Sequence, residues 1–166
     1  MAGFTTRPEI RGTFGVAAST HWIASAVAMG ILERGGNAFD AAVAAGFTLQ
    51  IVEPHLNGPG GDVPIIFQCA SEDTVRVLCG QGPAPGAASI EHYRGLGLNL
   101  VPGTGQLAAV VPGAFGAWMT LARDHGTMSV PDMLAPAIFY ARNGYPLVPR
   151  ICGLGFSGLQ SSRSIG

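Results

Sequence analysis

The residues able to do chemistry are few, and the most informative residue type is one that is missing. The chain has 166 residues, and its nine basic side chains are all arginine, with no lysine. Without a lysine there can be no Schiff base, no pyridoxal phosphate anchor and no Walker-type phosphate loop. The sequence therefore excludes these three kinds of site from this chain.

The histidines and cysteines are not spaced as metal ligands. They are His21, His55, His92, His125, Cys69, Cys79 and Cys152. Because none of them pairs at the short intervals typical of zinc sites, we predict no metal. The cysteines are interpreted as small buried side chains of a reducing, cytoplasmic compartment. His55 has two interpretations, a polar side chain that bonds backbone groups of the following turn, or a catalytic base.

A glycine-rich segment, Gly58–Asp62, could bring backbone amides close to a phosphate. A dinucleotide site, however, needs the order strand, turn, helix and the spacing G-x-G-x-x-G. Here a predicted helix precedes the turn and a predicted strand follows it. A nucleotide-binding domain is therefore a third, disfavoured possibility, and we predict a tight turn with glycines at positive φ.

Charge and hydropathy limit the partners. Charged residues make up 11% of the chain, less than half of the usual ~25%. A surface this poor in charge is better explained inside a larger assembly than on an isolated molecule. The net charge of −1 argues against a nucleic-acid partner. No apolar run is long enough for a membrane span and no secretory signal is visible, so the expected location is the cytoplasm.

Apolar spacing and capping residues predict five helices. In the first, Ile23, Val27 and Ile31 share one face, Thr20 is a possible cap, and Gly35–Gly36 ends the helix. In the second, Asn37 is the cap, Asp40 lies near the positive end of the helix dipole, and an alanine-rich face is buried. The other helices are predicted at Ser89–Leu96, from Pro112 through Ala122, and, after a Ser129 cap, at Pro131–Arg142.

Short apolar runs predict four strands, two of which form a hairpin. The strands are Thr13–Ser19, Val63–Cys69, Thr74–Cys79 and Leu107–Val111, and the hairpin turn is Ser71–Asp73. Strands mixed with helix pairs indicate a layered α/β or α+β fold.

Three sequence blocks, in this order and spacing, resemble the start of gamma-glutamyltranspeptidases. They are GVAAS at 15–19, ASAVAMGILERGGNAFDAAVAA at 24–45 and VEPHLNGPGGD at 52–62. Further similar blocks are AVVPGAFGAW at 109–118, DHG at 124–126 and LAPAIFYARNGYPLVPR at 134–150. The resemblance covers about residues 13–150. It divides the chain into an N-terminal extension (1–12), a large-subunit region (13–150) and a Gly/Ser-rich tail (151–166), which is interpreted as truncated or aberrant.

The resemblance implies an N-terminal nucleophile hydrolase with an αββα sandwich, incomplete in this chain. Such precursors cleave themselves, and the new N-terminal threonine of the small subunit attacks a small-molecule amide, with its own amine as base. That threonine lies beyond the matching region. Thr104, Thr120 and Thr127 fall in structural segments, so no catalytic residue is assigned. The implied mechanism needs no metal or organic cofactor.

One substrate-binding position falls within the chain. In the family an arginine, in a run such as G-R-E-T-A-P, grips the substrate α-carboxylate. The matching run here is Gly80–Pro85, in which Gln81 replaces the arginine and Gly82 replaces the glutamate. Loss of a bidentate charged pair predicts a divergent, acylase-like or oxamate-type branch with a different acyl group. The alternative is that Gln81 merely fills a loop.

The leading interpretation is therefore a fragment of an amidohydrolase or acyltransferase, inactive without a threonine-bearing C-terminal subunit as its partner. Glutathione-type substrates are possible. A partial sandwich should also expose sheet edges and an apolar layer. The runner-up is a non-catalytic binding or scaffold domain that kept the core of the family and lost its chemistry.

Overall fold

A computed structural model describes residues 9–147. These residues form two compact units, one made of 9–56 and 125–147 and the other of 57–124. The predicted tail at 151–166 lies outside the described residues. No helix within 9–147 is long and apolar enough to cross a membrane.

Three helices build the first unit. They are α1 (Trp22–Glu33), α2 (Ala38–Val52) and α5 (Val130–Asn143). Helix α2 packs against both α1 and α5. The predicted apolar face of α1 is buried, and so is most of the alanine-rich segment of α2. Helix α5 begins after its Ser129 cap, as predicted.

The turn between α1 and α2 follows the sequence prediction closely. Gly35 has φ +90°, a left-handed conformation that glycine adopts without a steric penalty. Asn37 then caps α2, because its side-chain oxygen accepts from the backbone N–H groups of Phe39 and Asp40. The Asp40 carboxylate in turn accepts from the Asn37 N–H at 2.8 Å, which completes a capping box.

Two predictions for the segment before α1 are wrong. Residues 13–19 form no strand, and Phe14 and Val16 are 65% and 62% exposed. The cap of α1 is His21, whose Nδ1 accepts from Ile23 N–H at 3.2 Å. The Thr20 hydroxyl instead donates a hydrogen bond to the buried Glu53.

Asp40 also links α2 to a distant loop. Its carboxylate accepts hydrogen bonds from the Thr127 hydroxyl at 2.6 Å and from the Thr127 and Met128 N–H groups at 2.9 and 3.2 Å. The side chain is completely buried. Burial raises the pKa of the Asp40 carboxyl, but hydrogen bonds from Thr127, Asn37 and Met128 outweigh burial and hold the pKa below its ordinary value of 3.8.

This lowered pKa predicts acid sensitivity. Because the folded-state pKa lies below 3.8, the stabilisation by Asp40 is complete above that pH and is lost as the pH falls through the folded value. Urea titrations at several pH values should show the stability difference between wild type and Asp40→Asn shrinking below about pH 4. The exposed Asp73→Asn change should show no comparable dependence. A difference for Asp40→Asn that stays constant down to acid pH would contradict the prediction.

The second unit contains an antiparallel hairpin of β1 (Val63–Gln68) and β2 (Val75–Gly80). Val63 pairs with Gly80 at one end of the hairpin, and Gln68 pairs with Val75 at the other. Short helix α3 (Ile90–Gly95) follows, capped by Ser89. Helix α4 (Ala114–His125) comes last.

The strand predicted at Leu107–Val111 is absent. A 3-10 turn occupies Gln106–Ala108, and the sheet of the described residues has two strands. The Leu107 carbonyl accepts from the Tyr93 hydroxyl at 2.7 Å instead of from a neighbouring strand. A short apolar run becomes a strand only where a partner strand is available, and none lies beside this run within 57–124.

One face of the hairpin is exposed and apolar, as expected for a partial sheet layer. Alternation places on it the apolar residues Pro64, Ile66, Val75, Val77 and Cys79, with Gln68 at one end. Ile66 and Val77, which pair with each other, are 74% and 68% exposed. The prediction of buried cysteines is wrong for Cys79, because strand alternation turns its side chain to this exposed face.

Candidate functional site

Gln81 lies directly after β2, at the end of the hairpin where Gly80 pairs with Val63. Its side chain is exposed, whereas Gly80 is buried. A polar side chain at the end of a strand, on a backbone fixed by the ladder, is suited to contact a small molecule. The position that the sequence singled out is therefore accessible in this unit.

The glycine-rich turn before β1 is tied to the start of α4. The Gly61 carbonyl accepts from the N–H groups of Gly113 and Ala114 at 3.1 and 3.0 Å. The turn itself is closed by a hydrogen bond from Gly61 N–H to the Gly58 carbonyl at 3.0 Å. Our prediction of positive φ in this turn is wrong, since its glycines do not adopt that conformation. Glycine at position 61 instead suits the close packing inside the turn, because a Cβ there would lie 3.3 Å from the Gly58 oxygen.

Two histidines carry buried nitrogen atoms without a hydrogen-bond partner among residues 9–147. They are Nε2 of His21 and Nδ1 of His55. The expected bond from His55 to the backbone of the turn is therefore not made by Nδ1. Nδ1 of His21 accepts a hydrogen bond from the Ile23 N–H, so this imidazole caps the N-terminus of α1.

The sequence prediction assigned no catalytic role to Thr104, Thr120 or Thr127. Thr127 holds Asp40 through both its hydroxyl and its amide, which is a structural role. No group of three metal-ligating side chains comes together in the described part of the chain. Substrate recognition by Gln81 stays a prediction from the sequence.

Sequence reasoning missed the close backbone packing on both sides of Gln81. Gly80, Gly82 and Gly113 bring three stretches of backbone into contact around it. The sequence did contain a signal for this packing: glycines lie on both sides of Gln81, and the pair Pro112-Gly113 directly precedes α4. Sequence alone did not reveal that these segments meet.

A small cavity of about 160 Å³ lies beside α3 and does not include Gln81. Its lining is mostly apolar, with His92 and Tyr93 as its aromatic members. The exposed imidazole of His92 has no metal-ligating neighbours within 57–124 that would form a metal site. We assign this cavity no role.

Comparisons with known proteins agree with the resemblance. Residues 24–155 match the family model described as gamma-glutamyltranspeptidase. The glutathione hydrolase-like YwrD proenzyme of Bacillus subtilis is 36% identical over 145 residues, covering 87% of this chain and 27% of the relative. The oxamate amidohydrolase proenzyme of Klebsiella pneumoniae is 35% identical over 141 residues, covering 81% and 26% respectively.

The solved structure of LmbA2991T421A is 61% identical, with a TM-score of 0.84, over 89% of this chain and 25% of that one. Solved gamma-glutamyltranspeptidases and a cephalosporin acylase also match. The predicted fold class, an incomplete N-terminal nucleophile hydrolase sandwich, is thereby confirmed. The chain spans about a quarter of the length of the curated relatives that it matches. It belongs to the gamma-glutamyltranspeptidase family, as an N-terminal part with similarity to the acylase-like branch.

Proposed function

We propose that this chain is the N-terminal part of an amide-cleaving hydrolase or acyltransferase. We further propose that it is inactive without a threonine-bearing portion outside these 166 residues. The observation that carries this proposal is the match over 24–155, together with coverage of only about a quarter of the relatives. The names of those relatives, which are proenzymes, support a second portion made by processing.

In the proposed reaction, the hydroxyl oxygen of the N-terminal threonine attacks the carbonyl carbon of a small-molecule amide. The α-amine of the same threonine takes up the hydroxyl proton and then passes it to the leaving amine as the C–N bond breaks. Backbone N–H groups stabilise the oxyanion in between. Water or a second amine next attacks the acyl-threonine ester and releases the acyl group. This chain contributes binding of the acyl group to these steps.

The hairpin of this chain exposes an apolar surface that the threonine-bearing portion would cover. The exposed apolar face of the hairpin (Pro64, Ile66, Val75, Val77 and Cys79) is a liability on an isolated protein, because it favours aggregation. A layer of the threonine-bearing portion packed on this face would remove that liability. The family fold, a sandwich with sheets in its middle layers, is consistent with such a neighbour. The low charge content of the chain supports the same assignment.

The acyl group is proposed to differ from gamma-glutamyl. Gln81 offers one carbonyl acceptor and two N–H donors, but it has no charge. An arginine at this position would bind a carboxylate through two charge-assisted hydrogen bonds, each stronger than a neutral one. The name of the Klebsiella relative, an oxamate amidohydrolase, is consistent with an acyl group other than gamma-glutamyl.

The test uses a composite enzyme, defined as this chain joined in frame to the C-terminal portion of LmbA2991, whose matching segment is 61% identical. Its substrates are two p-nitroanilides, gamma-glutamyl with a free α-carboxylate and the same compound with an α-carboxamide. Gln81→Arg should raise kcat/KM for the carboxylate relative to the carboxamide by about tenfold or more, because a charge-assisted pair replaces a neutral contact.

Gln106→Arg is the matched control. Gln106 is also an exposed glutamine of residues 57–124, but it lies in the 3-10 turn and not on the apolar face of the hairpin. The substrate ratio should stay unchanged in this variant. An unchanged ratio in Gln81→Arg, or an equal rise in both variants, would contradict the role of Gln81. A composite that folds but cleaves no amide would favour the scaffold alternative.

A further inference from the structure

Three glycines, Gly80, Gly82 and Gly113, pack backbone against backbone at the end of β2. We call this group the glycine junction. A Cβ on Gly113 would overlap the Gly80 carbonyl oxygen and lie 2.8 Å from the Gly82 nitrogen. Real Cβ atoms do not approach so closely, so Gly113 can lie against the backbone on both sides of Gln81 only because it has no side chain.

A second contact restrains the same stretch. A Cβ on Gly82 would overlap the Val111 carbonyl oxygen and lie 2.5 Å from the carbonyl carbon. Immediately beside this contact, the Val111 N–H donates to the Pro83 carbonyl at 3.0 Å. The segment that carries Val111 is therefore bound to the backbone just after Gln81.

The third restraint is the hairpin. Gly80 pairs with Val63, and a Cβ on Gly80 would overlap the Val63 carbonyl oxygen and lie 2.6 Å from the Cβ of Ala117. The residues flanking Gln81 are thus packed backbone to backbone, while the Gln81 side chain is exposed. A binding side chain on a restrained backbone loses less conformational entropy when it contacts a ligand.

We infer that Gly82 and Gly113 are positioning residues for Gln81, which they hold in one place so that its amide selects the acyl group of the substrate. This inference rests on the proposed function for its link to the substrate. The packing that carries it lies wholly within 57–124.

The first experiment needs no activity. Amide and side-chain NMR signals of Gln81 are compared in the full 166-residue chain and in Gly113→Ala, because Gly113 is distant from Gln81 in the sequence. A Cβ on Gly113 would overlap the Gly80 carbonyl oxygen and lie 2.8 Å from the Gly82 nitrogen, so it must separate Gly113 from the backbone on both sides of Gln81, and the Gln81 signals should shift. Gly86→Ala is the control, since a Cβ at Gly86 meets no atom within 4 Å and its φ is not positive. Unshifted Gln81 signals in Gly113→Ala would overturn the inference, whatever the chain does in catalysis.

The second experiment separates positioning from general damage. In the composite enzyme, Gly82→Ala should reduce kcat/KM roughly 100-fold, the scale of loss from a misplacement of about 1 Å. If Gly82 acts through Gln81, the double variant Gln81→Ala/Gly82→Ala should be no worse than Gln81→Ala alone. Independent, additive losses would overturn the positioning role. If Gln81→Ala itself has no effect, the proposed role of Gln81 in binding the acyl group fails, and the NMR result still decides whether the glycine junction positions Gln81.

A third measurement covers the case in which Gly82→Ala does not fold. Hydrogen exchange of the wild-type chain reports on the backbone packed around the junction, because the Val111 N–H donates to the Pro83 carbonyl and the Gly113 N–H donates to the Gly61 carbonyl. Both amides should exchange much more slowly than that of exposed Gln81. Exchange of Val111 and Gly113 as fast as an unprotected amide would overturn the inference.

Discussion

Replacing Asp40 with alanine is expected to lower the free energy of unfolding by about 3 kcal/mol. The carboxylate accepts four hydrogen bonds, from the Thr127 hydroxyl and from the N–H groups of Asn37, Thr127 and Met128. Hydrogen bonds to a charged acceptor are stronger than neutral ones, and alanine would leave all four donors without this acceptor. Urea unfolding followed by circular dichroism at neutral pH should show the loss.

The control for this change is Asp73→Ala. Asp73 is an exposed carboxylate in the hairpin turn, so its removal should alter stability by less than about 0.5 kcal/mol. Asp40→Asn should lose less than Asp40→Ala, because one carbonyl oxygen can still accept. Equal stability of wild type and Asp40→Ala would show that the link between α2 and the Thr127 loop contributes nothing.

Replacing Ile31 with alanine is expected to cost about 3 kcal/mol, within the range for buried isoleucine. Ile31 is completely buried in the last turn of α1, and its Cγ2 would lie 2.7 Å from a Cβ built on Gly36. Truncation removes packed methyl groups next to a turn whose shape is fixed by Gly35 and the Asn37 cap. The surrounding backbone therefore has little freedom to close the cavity.

Ile10→Ala is the matched control, because Ile10 is 74% exposed and lies outside any helix or strand. Its removal should leave the urea midpoint almost unchanged. If Ile31→Ala and Ile10→Ala had the same stability, the prediction that the buried face of α1 stabilises the first unit would be wrong.

The sequence predicted the local elements well where neighbouring residues form them. The Asn37 cap with Asp40, the hairpin, the helix near Ser89–Leu96, the Ser129 cap and the glycines that end α1 are all present. Each depends on hydrogen bonds or backbone conformations within a few residues, which the order of side chains specifies directly. The strands predicted at 13–19 and 107–111 do not form, because a strand also needs a partner strand from a distant part of the sequence.

For the candidate site, the sequence alone determined the family and the lack of lysine chemistry, and it predicts that Gln81 occupies the position of the family's arginine. Only the tertiary structure decided that Asp40 meets Thr127 across 87 positions, and that Gly113 lies against the backbone around Gln81. The physical reason is that such contacts depend on how distant segments pack. A glycine or a carboxylate in the sequence shows what a residue can do, and the folded chain selects the neighbour with which it does so.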